Sequence, residues 1–71
     1  MLLLELDRAD TRSYTRQIYS QCRRKIVTGE LGAGEKLPST RELSQQLQVA
    51  RNTVLTAYDM LIAEGLAHSI P

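Results

Sequence analysis

Phenylalanine and tryptophan are absent from this 71-residue chain, and cysteine and histidine occur once each. A lone Cys22 excludes an internal disulfide, and its solitude in a chain this short points to a reducing compartment. His68 is the one histidine, with no cysteine or carboxylate pair near it in the sequence, so no structural zinc site is expected. Long apolar runs are also missing. The opening "MLLLEL" reaches Glu5 after four residues, far short of a signal-peptide core, and no base precedes it. No membrane partner is therefore expected, and the location expected is cytoplasmic. With three tyrosines as the sole aromatics, leucine, isoleucine and valine must fill the interior. A domain of this size buries only about 60% of its unfolded surface. A fragment of a longer protein, or a chain that dimerises, is the expectation.

A strong charge of one sign is missing too. The net charge is +1, which does not by itself advertise nucleic acid. Its distribution is uneven. Residues 1–10 carry −2, residues 11–29 carry five bases and no acid, and residues 30–71 carry −2. Any argument for a polyanionic partner must come from where the bases are placed.

What is present is helical pattern. Residues 1–10 read as an N-terminal arm, with an extended piece at Leu2–Leu6. Thr11–Thr28 reads as a first helix, because Tyr14, Ile18, Cys22 and Ile26 recur every four residues and Tyr19 lies beside them. Arg12, Arg16 and Arg23 form a second stripe bordering the first. Gly29 suits the helix C-terminus. Glu30–Leu37 is a glycine-punctuated loop in which Leu31 and Leu37 plug the core and Glu35–Leu37 forms a short strand. Pro38 precedes "STRE", a capping box in which Ser39 caps and Glu42 reaches back. A second helix runs to about Leu47, with Leu43 and Leu47 inward. A third begins near Ala50 or Arg51, with Val54, Ala57, Tyr58, Leu61 and Ile62 on one face, and stops at Gly65. Leu66–Ile70 reads as a strand before Pro71. The order predicts a mainly α, three-helix winged helix-turn-helix over residues 11–71, with a small wing cut short.

Opposite the core face of the third helix lie Asn52, Thr53 and Thr56, with Arg51 at its start and no carboxylate until Asp59. A helix that enters the major groove leads with its N-terminal end. Arginine pairs with guanine, asparagine with adenine, and a threonine methyl touches thymine. Ser39, Thr40 and Arg41 open the second helix, where free N–H groups and the positive dipole end suit a phosphate. Ser39–Arg41 therefore read as phosphate contacts, and Arg51, Asn52, Thr53 and Thr56 as base-reading contacts on double-stranded DNA. The plainer alternative stands beside this one: Ser39 as a cap worth about 1 kcal/mol, and the others as a solvated helix face.

At these residues the chain resembles a family. The stretch "GELGAGEKLPSTRELSQQLQVARNTVLTAYDMLIAEGL" resembles the N-terminal winged helix-turn-helix of GntR-type bacterial transcription regulators. The pieces LPS-x-R, R-N-T-V and A-Y, with "YTRQIY" opening the first helix, are most similar to the MocR branch. The resemblance spans about residues 3–71. It implies operator binding as a homodimer, with repression or activation of transcription. It implies a phosphate contact for Arg41 and base or backbone contacts for Arg51, Asn52 and Thr53. In the MocR branch a linker leads to an aminotransferase-like C-terminal domain that binds pyridoxal phosphate. No cofactor is expected in this chain, and no lysine of it is assigned to a Schiff base. Some positions depart from the pattern. Ala33 replaces a proline. Gln48 replaces a turn glycine and is expected to be left-handed. Ala50 replaces a serine or threonine, leaving the third helix without a side-chain cap. Leu55 and Thr56 stand where many members carry a longer polar or basic side chain, so that family contact is not carried over to Leu55. The wing tip is not assigned.

The remaining candidates read as structure. Cys22 is expected to be buried and inert, the three tyrosines to pack, and "RRK" at Arg23–Lys25 to splay around the helix. Nothing supplies the nucleophile and base, carboxylate pair or metal of an enzyme. The alternative function is a helix-turn-helix that binds protein through Arg12, Arg16 and Arg23 or through the apolar arm at Leu2–Leu4.

Overall fold

A computed structural model of the chain describes residues 4–10, 13–31 and 37–67. Three helices follow one another: α1 at Tyr14–Val27, α2 at Thr40–Leu47 and α3 at Arg51–Ala63. α3 packs against both of the others. The fold is mainly α, as expected, and no strand occurs among the described residues.

The core sits where α3 meets α1 and α2. Ile18 and Cys22 of α1, Leu43 of α2, and Val54, Ala57 and Leu61 of α3 have no exposed surface. Those positions recur at helical spacing on each element, so each contributes one apolar stripe. Leu31 and Leu37 close the open sides, the first buried and the second half-buried. Ile62, expected on the core face, is 36% exposed. It lies about 100° around α3 from Leu61, beyond the arc that α1 and α2 cover.

α1 begins three residues later than the pattern suggested. Ser13 is its N-cap, with Oγ accepting the Arg16 N–H at 3.2 Å. That bond satisfies a first-turn donor and fixes the start at Tyr14. Thr11 and Arg12 lie outside the described residues. So do Leu2, Leu3, Ala33, Glu35, Lys36 and His68–Pro71, and with them most of both expected strands. Leu37, Leu66 and Ala67, which are described, are not in strands.

The arm is part of the fold. Leu4 is buried in the core and Leu6 packs against it. Two glutamines one turn apart on α1 hold the backbone between them. Gln21 accepts the Glu5 N–H at 3.1 Å and donates to the Glu5 carbonyl at 2.6 Å. Gln17 treats Asp7 the same way, at 2.8 and 3.3 Å. A carboxamide carries one acceptor and two donors, so it satisfies both peptide groups of a residue as a neighbouring strand would. Arg8 then lies over the Tyr14 ring, 5.1 Å from its centroid, and donates to the Leu47 carbonyl at 2.5 Å. α2 has no base in its last turn. Arg8 supplies that cation to the negative end of the helix from another part of the chain.

α2 and α3 end alike. Gly65 has φ +76°, and the Leu66 N–H returns to the Leu61 carbonyl at 2.9 Å. Gln48 has φ 57° and ψ 49°, and the Val49 N–H returns to the Ser44 carbonyl at 3.0 Å. Both are left-handed helix ends that tuck the next apolar residue inward. Gln48 does so with a Cβ, at a cost of roughly 1–2 kcal/mol. The turn therefore occupies Gln48–Ala50, and α3 starts at Arg51 with no side-chain cap on it.

Three outcomes follow from these contacts. Gln48→Gly is expected to raise the unfolding free energy by about 0.5–1 kcal/mol, and Ala50→Ser by about 1 kcal/mol. Denaturant titration of each variant measures both. Burial pushes the Cys22 thiol from its ordinary 9.0 up to about 11. The native chain therefore keeps that proton after the unfolded chain has lost it, and stability falls as pH rises from 9 to 11. Cys22→Ala lowers the stability at neutral pH but flattens that alkaline slope, which denaturation at neutral and alkaline pH reads directly.

Candidate nucleic-acid interface

The entry to α2 is built by its capping box. Ser39 Oγ accepts the Glu42 N–H at 3.0 Å, while Glu42 Oε1 accepts the Ser39 N–H at 3.4 Å. The Ser39 amide is thus occupied, and the Glu42 carboxylate is folded back over the cap. An anion there can meet the Ser39 hydroxyl proton, the first-turn N–H groups of Thr40 and Arg41, the Thr40 side chain and the Arg41 guanidinium. Arg41 is exposed and has no side-chain partner among the described residues. Its carbonyl accepts the Ser44 hydroxyl at 2.9 Å, which fixes the backbone of that first turn.

α3 is positioned against that entry by Tyr58. Its hydroxyl donates to the Pro38 carbonyl at 2.7 Å. Burial raises the Tyr58 pKa well above the ordinary phenol range, so the group stays protonated as a donor. On the α1 side, the Thr15 hydroxyl donates to the Thr53 carbonyl at 3.1 Å. At the far end, Glu64 accepts a hydrogen bond from the Tyr19 hydroxyl and lies 3.8 Å from Arg23 Nε. The bond to Glu64 holds the Tyr19 phenol above its ordinary pKa.

The sequence-derived site residues fall into two groups. Arg51, Asn52 and Thr56 are exposed and make no side-chain hydrogen bond or ion pair among the described residues. Asn52 lies diametrically opposite the arc of Val54, Ala57 and Leu61. Thr53 is half-buried at the edge of the face, with its carbonyl engaged by α1. The patch also holds a residue that the sequence reading set aside: Leu55, 46% exposed between Arg51 and Asp59.

The basic surplus of α1 is less available than its sequence suggests. Arg23 pairs with Glu64, and Lys25 with Glu30 at 3.1 Å. Of the stripe offered to a protein partner, Arg16 is exposed, Arg23 bridges to α3, and Arg12 is outside the described residues. Leu4, part of the apolar arm offered for the same purpose, is buried. No group of acids, histidines or cysteines that could hold a metal occurs among the described residues. No helix among them is long and apolar enough to cross a membrane.

Comparison with known proteins places this geometry. The family described as "Bacterial regulatory proteins, gntR family" matches residues 14–71. The chain is 45% identical over 67 residues to the "Probable rhizopine catabolism regulatory protein MocR" of Rhizobium meliloti, covering 94% of this chain and 14% of that protein. It is 46% identical over 54 residues to the "Vitamin B6 salvage pathway transcriptional repressor PtsJ" of Salmonella typhimurium, covering 76% and 13%. It is 44% identical over 64 residues to the "HTH-type pyridoxine biosynthesis transcriptional regulator PdxR" of Corynebacterium glutamicum, covering 90% and 14%. The chain thus spans about one seventh of the length of these relatives. With α2, the Gln48–Ala50 turn and α3 forming its helix-turn-helix, the chain belongs to the gntR family of bacterial regulatory proteins and is a domain of DNA-binding transcription regulation.

Proposed function

We propose that this chain is the operator-reading domain of a longer, homodimeric, cytoplasmic regulator of the MocR type. The observation that carries this reading is the start of α3. An exposed, acid-free turn and a half presents Arg51, Asn52 and Thr56, all unpartnered among the described residues. Desolvated against base edges, these side chains gain the hydrogen bonds and the methyl contact they now lack. Ser39, Thr40 and Arg41 grip phosphate at the entry to α2. They hold the domain in register without reading sequence. Thr53 contributes from the edge, by its side chain or through the first-turn backbone.

Residues 1–10 act with residues 11–71 as one reading unit in this proposal, and the rest of the regulator lies elsewhere in the longer protein. Pyridoxal phosphate, on this reading, belongs to a separate aminotransferase-like domain. Lys25, held at the surface by Glu30, does not suit a Schiff base.

Titration of the isotope-labelled chain with a short duplex at low salt, followed through amide shifts, tests the face. Shifts concentrated at Ser39–Arg41 and Arg51–Thr56 are expected. Shifts confined to Arg16 and Arg23, or none, overturn the assignment in favour of a protein partner. Arg51→Ala is expected to cost about 1–3 kcal/mol and to relax base preference at one position. Arg41→Ala is expected to weaken all duplexes alike and to reduce the salt slope by about 1. Unchanged binding by Arg51→Ala would remove α3 from the groove.

A further inference from the structure

We infer that Leu55 is a specificity-determining residue that reads the 5-methyl group of a thymine in the major groove. This rests on the proposed DNA reading and deepens it. Leu55 is one of three large apolar side chains exposed among the described residues, with Val27 and Ile62. It is the one that lies within the reading patch. Along α3 it is four residues from Arg51 and three from Asn52, so these three side chains are neighbours on a single helical surface, with Thr56 about 100° further round. Asp59 follows one turn later, and its carboxylate sets the limit beyond which the face repels phosphate.

An apolar side chain in the middle of a polar reading patch needs an apolar complement. The major-groove edges offer donors, acceptors and one apolar group, the thymine methyl. The spacing constrains where that thymine falls. Side chains three residues apart on a helix lie about 5–6 Å apart, against about 3.4 Å per base-pair step. The thymine read by Leu55 should therefore lie within about two steps of the adenine read by Asn52.

The test begins with duplexes selected by the 71-residue chain from a randomised pool. Each thymine of the selected duplex is then replaced singly by deoxyuridine, which removes the methyl and leaves base pairing intact. One position is expected to weaken binding about fourfold, the effect of losing one buried carbon. Leu55→Ala, a surface change that leaves the core untouched, should bind the thymine and uracil duplexes equally at that position. A thymine methyl touched by Thr56 keeps its effect in Leu55→Ala and loses it in Thr56→Ala. Asn52→Ala should lose the adenine preference yet retain sensitivity to the methyl. Equal binding of thymine and uracil duplexes by the unmodified chain overturns the inference, as does sensitivity at that one position that persists in Leu55→Ala. Methyl-insensitive binding combined with weakened self-association in Leu55→Ala reassigns the residue to a protein contact. If the pool yields no duplex with sequence preference, the DNA reading itself falls, and this inference with it.

Discussion

The Tyr58 hydroxyl crosses from the middle of α3 to the Pro38 carbonyl, the last peptide group before the α2 cap. Two helices joined by three residues can meet at many angles. One half-buried bond across them removes most of that freedom. A lost partner there would leave a polar group unsatisfied at about 1–3 kcal/mol, so the arrangement resists opening. The capping box, the exposed Arg41 and the first turn of α3 all inherit their relative placement from this restraint and from the Leu43, Val54 and Leu61 packing beneath it.

Much of this was legible in the sequence because it is local. The α1 stripe, the capping box, the left-handed Gln48 and the uncapped Ala50 each follow from a few neighbouring residues, and each is found. Tyr58 was recognised as a packing residue, but its bond to Pro38 joins positions 20 apart, and no periodicity encodes it. The start of α1 lies three residues beyond the expected one because the apolar stripe begins only at Tyr14 and marks no cap, and the Ser13 bond to Arg16 is what fixes it.

The docking of the arm on α1 was the larger omission. Its signal was present as alternating Leu4 and Leu6, with Gln17 and Gln21 four residues apart on α1, but the pairing spans 10 and 16 residues. Charge was similarly misleading when read along the chain. Five bases in residues 11–29 look like a polyanion surface, yet Glu64 and Glu30 neutralise two of them in space. Arg41 on α2 and Arg51 on α3, without side-chain partners among the described residues, are fewer and better placed. On the site, sequence chemistry found the polar residues and carried no contact over to Leu55, because its side chain lacks the polar groups of the family position and its exposure shows only in the fold.

Gln17 and Gln21 hold Glu5 and Asp7 by their peptide groups, not by their side chains. Such a clasp recognises an extended path and is blind to most of the letters along it. Mutational drift at Glu5, whose side chain faces solvent, should therefore leave the docking unchanged. Leu4 and Arg8, at the two ends of the clasped segment, carry chemistry that a substitute cannot easily copy. Across related chains, the clasped segment should keep apolar residues at positions 4 and 6 and a cation at position 8 while position 5 varies, a pattern that would otherwise suggest an unimportant terminus.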